Sequence, residues 1–190
     1  MAKQEAQQII KKAIEGDMDA FRTIVMQHQA FVYSVSYRFL GNAEDSEDVA
    51  QEAFIRLWKN LYKYKPEIKL TTWLYRIVAN LCIDFLKSTY TKQRKIQVDE
   101  VHALKYSART DESILADEFN ELILRALNHL TPKQKAVFIL RDLEDLSVEE
   151  VGTILSMSAG NIKSNLYYAR QQVSATLKRY YQTTDKITTL

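Results

Sequence analysis

A chain of 190 residues is long enough for one large domain or two small ones, and 46% hydrophobic against 26% charged residues is an ordinary globular balance. Four glycines and two prolines leave little for hairpin turns and favour an all-α chain, while a net charge of +2 is too small to imply a nucleic-acid partner by itself. The single cysteine excludes an internal disulfide framework and fits a reducing cytoplasm; the polar start MAKQEAQQIIKKAIEGD is unlike a signal peptide, and no run approaches the ~18 apolar residues of a membrane span.

Residues 3–15 predict a short amphipathic helix with Ile9, Ile10, Ala13 and Ile14 inward, stopped by Gly16. Asp17 or Asp19 then caps a second helix that carries Phe21, Ile24, Val25, Phe31, Val32, Val35 and Phe39, and Gly41–Asn42 closes it. His28 lies there without partner ligands and reads as structural.

The third predicted helix, 43–61, divides its faces unusually. Val49, Ala50, Ala53, Phe54 and Leu57 form an apolar side; Asp48, Gln51, Glu52, Ile55, Arg56 and Lys59 form the other. One reading is a solvated face with a stray isoleucine. The other is a docking face for a basic partner, with the acids giving selectivity and Ile55 the anchor.

The loop 62–70 alternates aromatic and basic residues, Tyr62, Lys63, Tyr64, Lys65 and Lys69, around Pro66. Aromatic rings are stacking platforms and lysines meet phosphates, the pairing that holds single-stranded nucleic acid. A helix over 71–87 follows. Trp73, Arg76, Asn80, Asp84 and Lys87 share one stripe, opposed by Leu74, Val78, Cys82, Phe85 and Leu86. An indole in a polar stripe has a use if it meets an unstacked base. On the apolar side Cys82 behaves as a small hydrophobe.

Periodicity fades over 89–110, a net basic stretch longer than loops inside compact domains, and this predicts a linker between domains 1–88 and 111–182. A helix begins at Asp111, with Ile114, Leu115, Phe119, Leu122, Ile123, Ala126 and Leu127 inward. Residues 131–173 then divide into three helices. Thr131 and Gln134 form a capping box with Pro132 in the first turn; Ser147 and Glu150 repeat the signal for a short helix; after a turn at Ser156–Met157, Ser158 caps a third. This is the helix-turn-helix pattern. On the third helix Ile162, Leu166, Ala169 and Val173 share one face, with Gly160, Lys163, Ser164, Tyr167, Tyr168 and Gln171 opposite. From Ala159 to Arg179 every charge is positive, which suits a groove lined with phosphates better than a bundle helix whose tyrosines cover a neighbour. Residues 183–190 are expected to fray.

The order of these parts carries a resemblance. DSEDVAQEAFIRLW, a loop, TTWLYRIVANLCIDFLK, a linker and then LTPKQKAVFILRDLEDLSVEEVGTILSMSAGNIKSNLYYAR resemble an extracytoplasmic-function (ECF) sigma factor, a small two-domain member of the sigma-seventy class. The resemblance implies a transcription initiation factor that joins core RNA polymerase in the bacterial cytoplasm and directs it to promoter DNA. It implies that Asp48, Gln51 and Glu52, with Ile55 and Arg56 beside them, dock on the polymerase. Tyr62, Tyr64 and Lys65, with Trp73, Arg76 and Asn80, fall where members hold the melted −10 strand. Lys163, Ser164, Tyr167 and Tyr168 fall where members read the −35 element in the major groove, and Asn161 and Arg170 where they hold phosphates. An anti-sigma factor is a further partner the family implies. Many members carry Arg where this chain has Asn165 or Tyr168, and Gly where it has Ser156.

The rival reading is a stand-alone dimeric helix-turn-helix regulator, which gives the aromatic-basic loop and the Trp73 stripe no use. An enzyme is disfavoured: His28, His102 and His129 are scattered, and neither a metal-ligand cluster nor a Gly-rich phosphate loop is present. No cofactor, small-molecule substrate or membrane insertion is expected.

Overall fold

The computed structural model describes residues 2–95 and 111–188, with side chains described over 5–88 and 119–182. All regular structure among them is helical: α1 (Ala2–Ile14), α2 (Met18–Leu40), α3 (Ala43–Asn60), a 3-10 turn (Leu61–Lys63), α4 (Leu70–Lys95), α5 (Asp111–Leu127), α6 (Pro132–Phe138), a π-helical segment (Ile139–Leu143), α7 (Val148–Leu155) and α8 (Ala159–Thr188). Two compact units result, Met1–Asp84 with Ser147–Met157, and Phe85–Leu146 with Ser158–Leu190.

In the first unit α2 packs against α1 and α3. The turn into α2 is capped by Asp17, not Asp19: its carboxylate accepts from the N–H groups of Asp19 (2.9 Å) and Ala20 (3.0 Å). Asp19 instead pairs with Arg22. Gly41 ends α2 in the left-handed region at φ 68°, donating to the Tyr37 carbonyl at 2.8 Å, a backbone conformation that is strained for a residue with a side chain. Asn42 belongs to the next helix, which it caps through Asp45 N–H at 3.0 Å. Ile24, Val32, Val35 and Phe39 of α2 are buried, as are Val49, Ala53 and Leu57 of α3 and Leu74, Val78 and Cys82 of α4. Phe21 lies against Trp58 with ring centroids 4.7 Å apart, and Phe31 meets Tyr75 edge-on at the same spacing. His28 Nδ1 donates to the Ile24 carbonyl at 3.0 Å, a structural contact.

In the second unit α8 packs against α5 and α6. Leu122, Ala126 and Leu127 join Ala136, Val137, Ile139 and Leu140 in a core closed by Ile162, Leu166, Ala169 and Val173. Thr131 and Gln134 form the expected reciprocal box, at 3.3 and 3.1 Å. The buried Lys135 brings its ammonium to Asn128 Oδ1 at 3.0 Å, so the charge is not left without an acceptor.

Several expectations need correction. Ile14, Phe85 and Phe119, expected inward, are 39%, 37% and 50% exposed. Ile14 is the last residue of α1 and Phe85 lies near the end of its stripe, where a neighbour need not cover what periodicity assigns to the core, whereas Phe119 lies mid-helix in α5. Helix α4 runs on to Lys95, so residues 89–95 of the expected linker are helical. Residues 96–110 and the side chains of Ile114 and Leu115 lie outside the described residues. Helix α8 continues to Thr188, through most of the segment expected to fray.

Ser147 and Glu150 cap α7 as expected, at 2.9 and 3.1 Å, and the hydrogen bonds from the Ser147 backbone and then its side chain hold the Glu150 carboxyl below the usual carboxylate range. The helix ends at Ser156 with φ 53° and ψ 47°, left-handed, where its N–H donates to the Gly152 carbonyl. A Cβ in that region costs about 1–2 kcal/mol, against which glycine loses about 0.5–1 kcal/mol of chain entropy. Ser156→Gly is therefore expected to stabilise the protein by about 0.5–1 kcal/mol in a urea melt; a lower midpoint would show that this turn is unstrained.

Candidate functional site

Three surfaces collect the predicted residues. On α3, Val49, Ala53 and Leu57 turn inward, which leaves Asp48, Gln51, Ile55 and Arg56 exposed and Glu52 half-buried. Glu52 accepts from Arg56 Nε at 2.8 Å, one turn along the same helix. Both side chains remain close to half exposed, so the pair orders the surface more than it stabilises the fold. Ile55, 45% exposed, stands beside these polar groups as the expected anchor.

The second surface runs from the 3-10 turn into α4. Leu61 and Leu70 are buried and pin the two ends of the loop, which leaves Tyr62 and Lys65 exposed. The Lys63 ammonium lies 5.1 Å from the centre of the Tyr62 ring and reaches Asn60 Oδ1 at 3.1 Å. Tyr64 turns back. Its hydroxyl donates to the Ile68 carbonyl at 2.8 Å, and its ring stacks on Trp73 with centroids 5.7 Å apart and planes 25° from parallel. Burial, then the Glu67 carboxylate, push the phenol pKa up, so the group stays neutral. The indole, expected on a polar stripe, is half-buried with Tyr64 alongside. Arg76 and Asn80 are exposed further along. Beneath the loop, Ile9, Ile10, Ile24, Pro66 and Leu70 line a cavity of about 420 Å³, with His28 at its wall.

The third surface is α8. Ser158 caps it through Asn161 N–H at 3.4 Å. Its apolar face is buried as predicted, and Asn161, Lys163, Ser164, Tyr167, Tyr168 and Arg170 are all exposed. Asn165 is half-buried and donates to the Asn161 carbonyl at 2.8 Å. Tyr167 and Tyr168 meet edge-on, centroids 5.5 Å apart. Lys163, Tyr167, Arg170, Gln171, Ser174 and Lys178 share one depression along the helix.

Arg170 has a partner within its own unit. The guanidinium expected to be held for phosphate already makes a bidentate pair with Asp142, Nε to Oδ2 at 2.8 Å and Nη2 to Oδ1 at 2.6 Å. Those bonds raise its pKa and fix its plane. Nη1 has no part in them, so one edge of the fork is available outward. Asp142 escaped sequence reasoning because it lies 28 residues from its partner, in the π-helical segment whose extra residue no periodic pattern announces. Gln171 was placed on the outer face but given no task. Its Nε2 donates to the Tyr167 hydroxyl at 2.7 Å, a contact that the i, i+4 spacing does announce.

Among the described residues no group of three His, Cys, Asp or Glu side chains could hold a metal, and no helix is long and apolar enough to cross a membrane. Residues 24–91 match the family model for sigma-70 region 2, and residues 120–173 the model for sigma-70 region 4. The chain is 33% identical to the ECF RNA polymerase sigma factor SigW of Bacillus subtilis, over 89% of this chain and 95% of that protein. Its fold is similar to that of CnrH, solved in complex with the cytosolic domain of CnrY (TM-score 0.64, 22% identity, 90% of this chain and 96% of that one). It is also similar to the sigma factor RpoE of Bartonella quintana, solved with the anti-sigma factor NepR (TM-score 0.60, 20% identity, 83% and 96%).

Proposed function

The chain belongs to the ECF class of the sigma-70 family and is a transcription initiation factor, and from that premise we propose how its surfaces divide the work. Asp48, Gln51 and Glu52, with Ile55 and Arg56, dock on core RNA polymerase. Tyr62, Tyr64, Lys65, Trp73, Arg76 and Asn80 hold the unpaired −10 strand. On α8, Lys163, Ser164, Tyr167 and Tyr168 read the −35 duplex, while Asn161 and the outward edge of Arg170 contact phosphates. The functional modules are residues 1–88 and 111–182, joined by 89–110. The protein acts in the bacterial cytoplasm, and an anti-sigma factor restrains it, as the complex of its structural relative suggests.

The observation that carries this division is coincidence: the polymerase and −10 residues lie inside the region 2 match, and the −35 residues inside the region 4 match. The mechanism needs no covalent step, and the family is non-enzymatic. Phosphate contacts position the duplex and a few base contacts specify it. Stacking on aromatic rings then offsets part of the few kcal/mol that unstacking a base costs. Each site is weak, and core polymerase makes them act together by setting their spacing. A stand-alone dimeric regulator is not favoured, because two sigma regions occur in order along one chain.

Run-off transcription with bacterial core polymerase on a promoter library tests the reading. The protein is expected to direct specific initiation with core, and to bind promoter DNA poorly alone. Indifference to core in a direct mixing assay would overturn it.

A further inference from the structure

The Tyr167–Gln171 contact bears on which base the helix accepts. A phenol has one proton to donate and accepts on the same oxygen. With the Gln171 amide donating to that oxygen at 2.7 Å, the phenolic proton is left to point away from the amide. Tyr167 is 58% exposed, and its edge-on contact with Tyr168 restricts where the ring can swing. Lys163, one turn earlier, and Arg170, one turn later, offer donors only, so the hydroxyl adds a third donor to the same depression.

We propose that Gln171 fixes Tyr167 as a hydrogen-bond donor toward DNA, so that the tyrosine accepts G, A or T at its position and discriminates against C. The major-groove edges of G, A and T each carry an acceptor; that of C presents only its N4 amino donor. Gln171 is thus a positioning residue, acting through Tyr167 without touching the base. The inference rests on the assignment of Tyr167 to the −35 element and deepens it.

The sign of the hydrogen bond can be reversed. In Gln171→Glu the carboxylate can only accept, so the phenol must donate inward and present its lone pairs to the DNA. In Gln171→Met the hydroxyl is free to rotate. The full chain with core polymerase would transcribe a library randomised over the upstream element, and preferences would be taken as ratios within each variant. Those ratios remove the uniform loss that an added negative charge near phosphates brings.

Wild type should disfavour C at one position by about fivefold, the scale of one net hydrogen bond. Tyr167→Phe and Gln171→Met should both lose that discrimination, and Gln171→Glu should reverse it in favour of C. If Tyr167→Phe relaxes the position while Gln171→Glu still disfavours C, Gln171 does not set the polarity and the inference fails alone. If Tyr167→Phe changes no position, the placement of Tyr167 at the −35 element fails and the inference with it.

Discussion

Replacing Asp48 and Gln51 together by alanine is expected to weaken binding to core RNA polymerase by about a hundredfold or more, with the helix content of the free protein unchanged. Truncating a central interface residue costs about 2 kcal/mol or more, and two on one face remove most of what a small docking surface supplies. The fold should not suffer. Both side chains are exposed, whereas Val49, Ala53 and Leu57, which tie α3 to its neighbours, lie on the opposite face. Alanine is also the better helix former at either position. Glu52 should be the lesser contributor, because its carboxylate already accepts from Arg56 and that bond must open or be shared when a partner arrives. Ile55→Ala should reduce affinity with little change in salt dependence, since its contribution is apolar burial. A titration of labelled protein with core enzyme, beside far-UV circular dichroism, reads both sides of the expectation. Undiminished binding by the double variant would remove α3 from the docking surface.

What the sequence made legible divides by the range of the interaction. The boxes at Thr131/Gln134 and Ser147/Glu150 span three residues, and both formed with the partners that spacing assigned. The two faces of α8 were legible for the same reason: with Ile162, Leu166, Ala169 and Val173 buried in a row, the positions between them have one place to point. Contacts that join distant parts of the chain left no such trace. Asp142 reads as one of five acids between Asp142 and Glu150 until the π-helical segment brings it to Arg170. Tyr64 reads as an exposed ring until the turn at Pro66 returns it to Trp73. The extension of α4 to Lys95 was missed because the added turns carry polar residues, and a helix without an apolar stripe gives periodicity nothing to register. So pairings within one or two turns of a helix could be read from spacing, but those between residues far apart in the chain could not.

Pairing of the second kind bears most directly on Trp73. Trp73→Ala is expected to slow strand opening by about tenfold to a hundredfold and to leave closed-complex formation nearly unchanged, because stacking a base on an aromatic ring is worth about 1–3 kcal/mol. A duplex offers no free base face, so the indole has nothing to meet until the strand separates, and its loss should appear only in the later step. The stack with Tyr64 sharpens the expectation. Two stacked rings, one of them tethered through its hydroxyl to the Ile68 carbonyl, form a platform that exists before DNA arrives and so spares the ordering cost of building one. Tyr64→Ala should therefore slow opening as well, and the double variant should lose less than the two single losses combined, since each ring depends on the other for its orientation. A faster opening in Tyr64→Ala would mean that the tyrosine shields the indole, and the strand would then have to displace it. Stopped-flow fluorescence from a 2-aminopurine placed in the −10 element separates the two steps. Equal slowing of both by Trp73→Ala would place the indole in duplex binding or in the fold, and not with the melted strand.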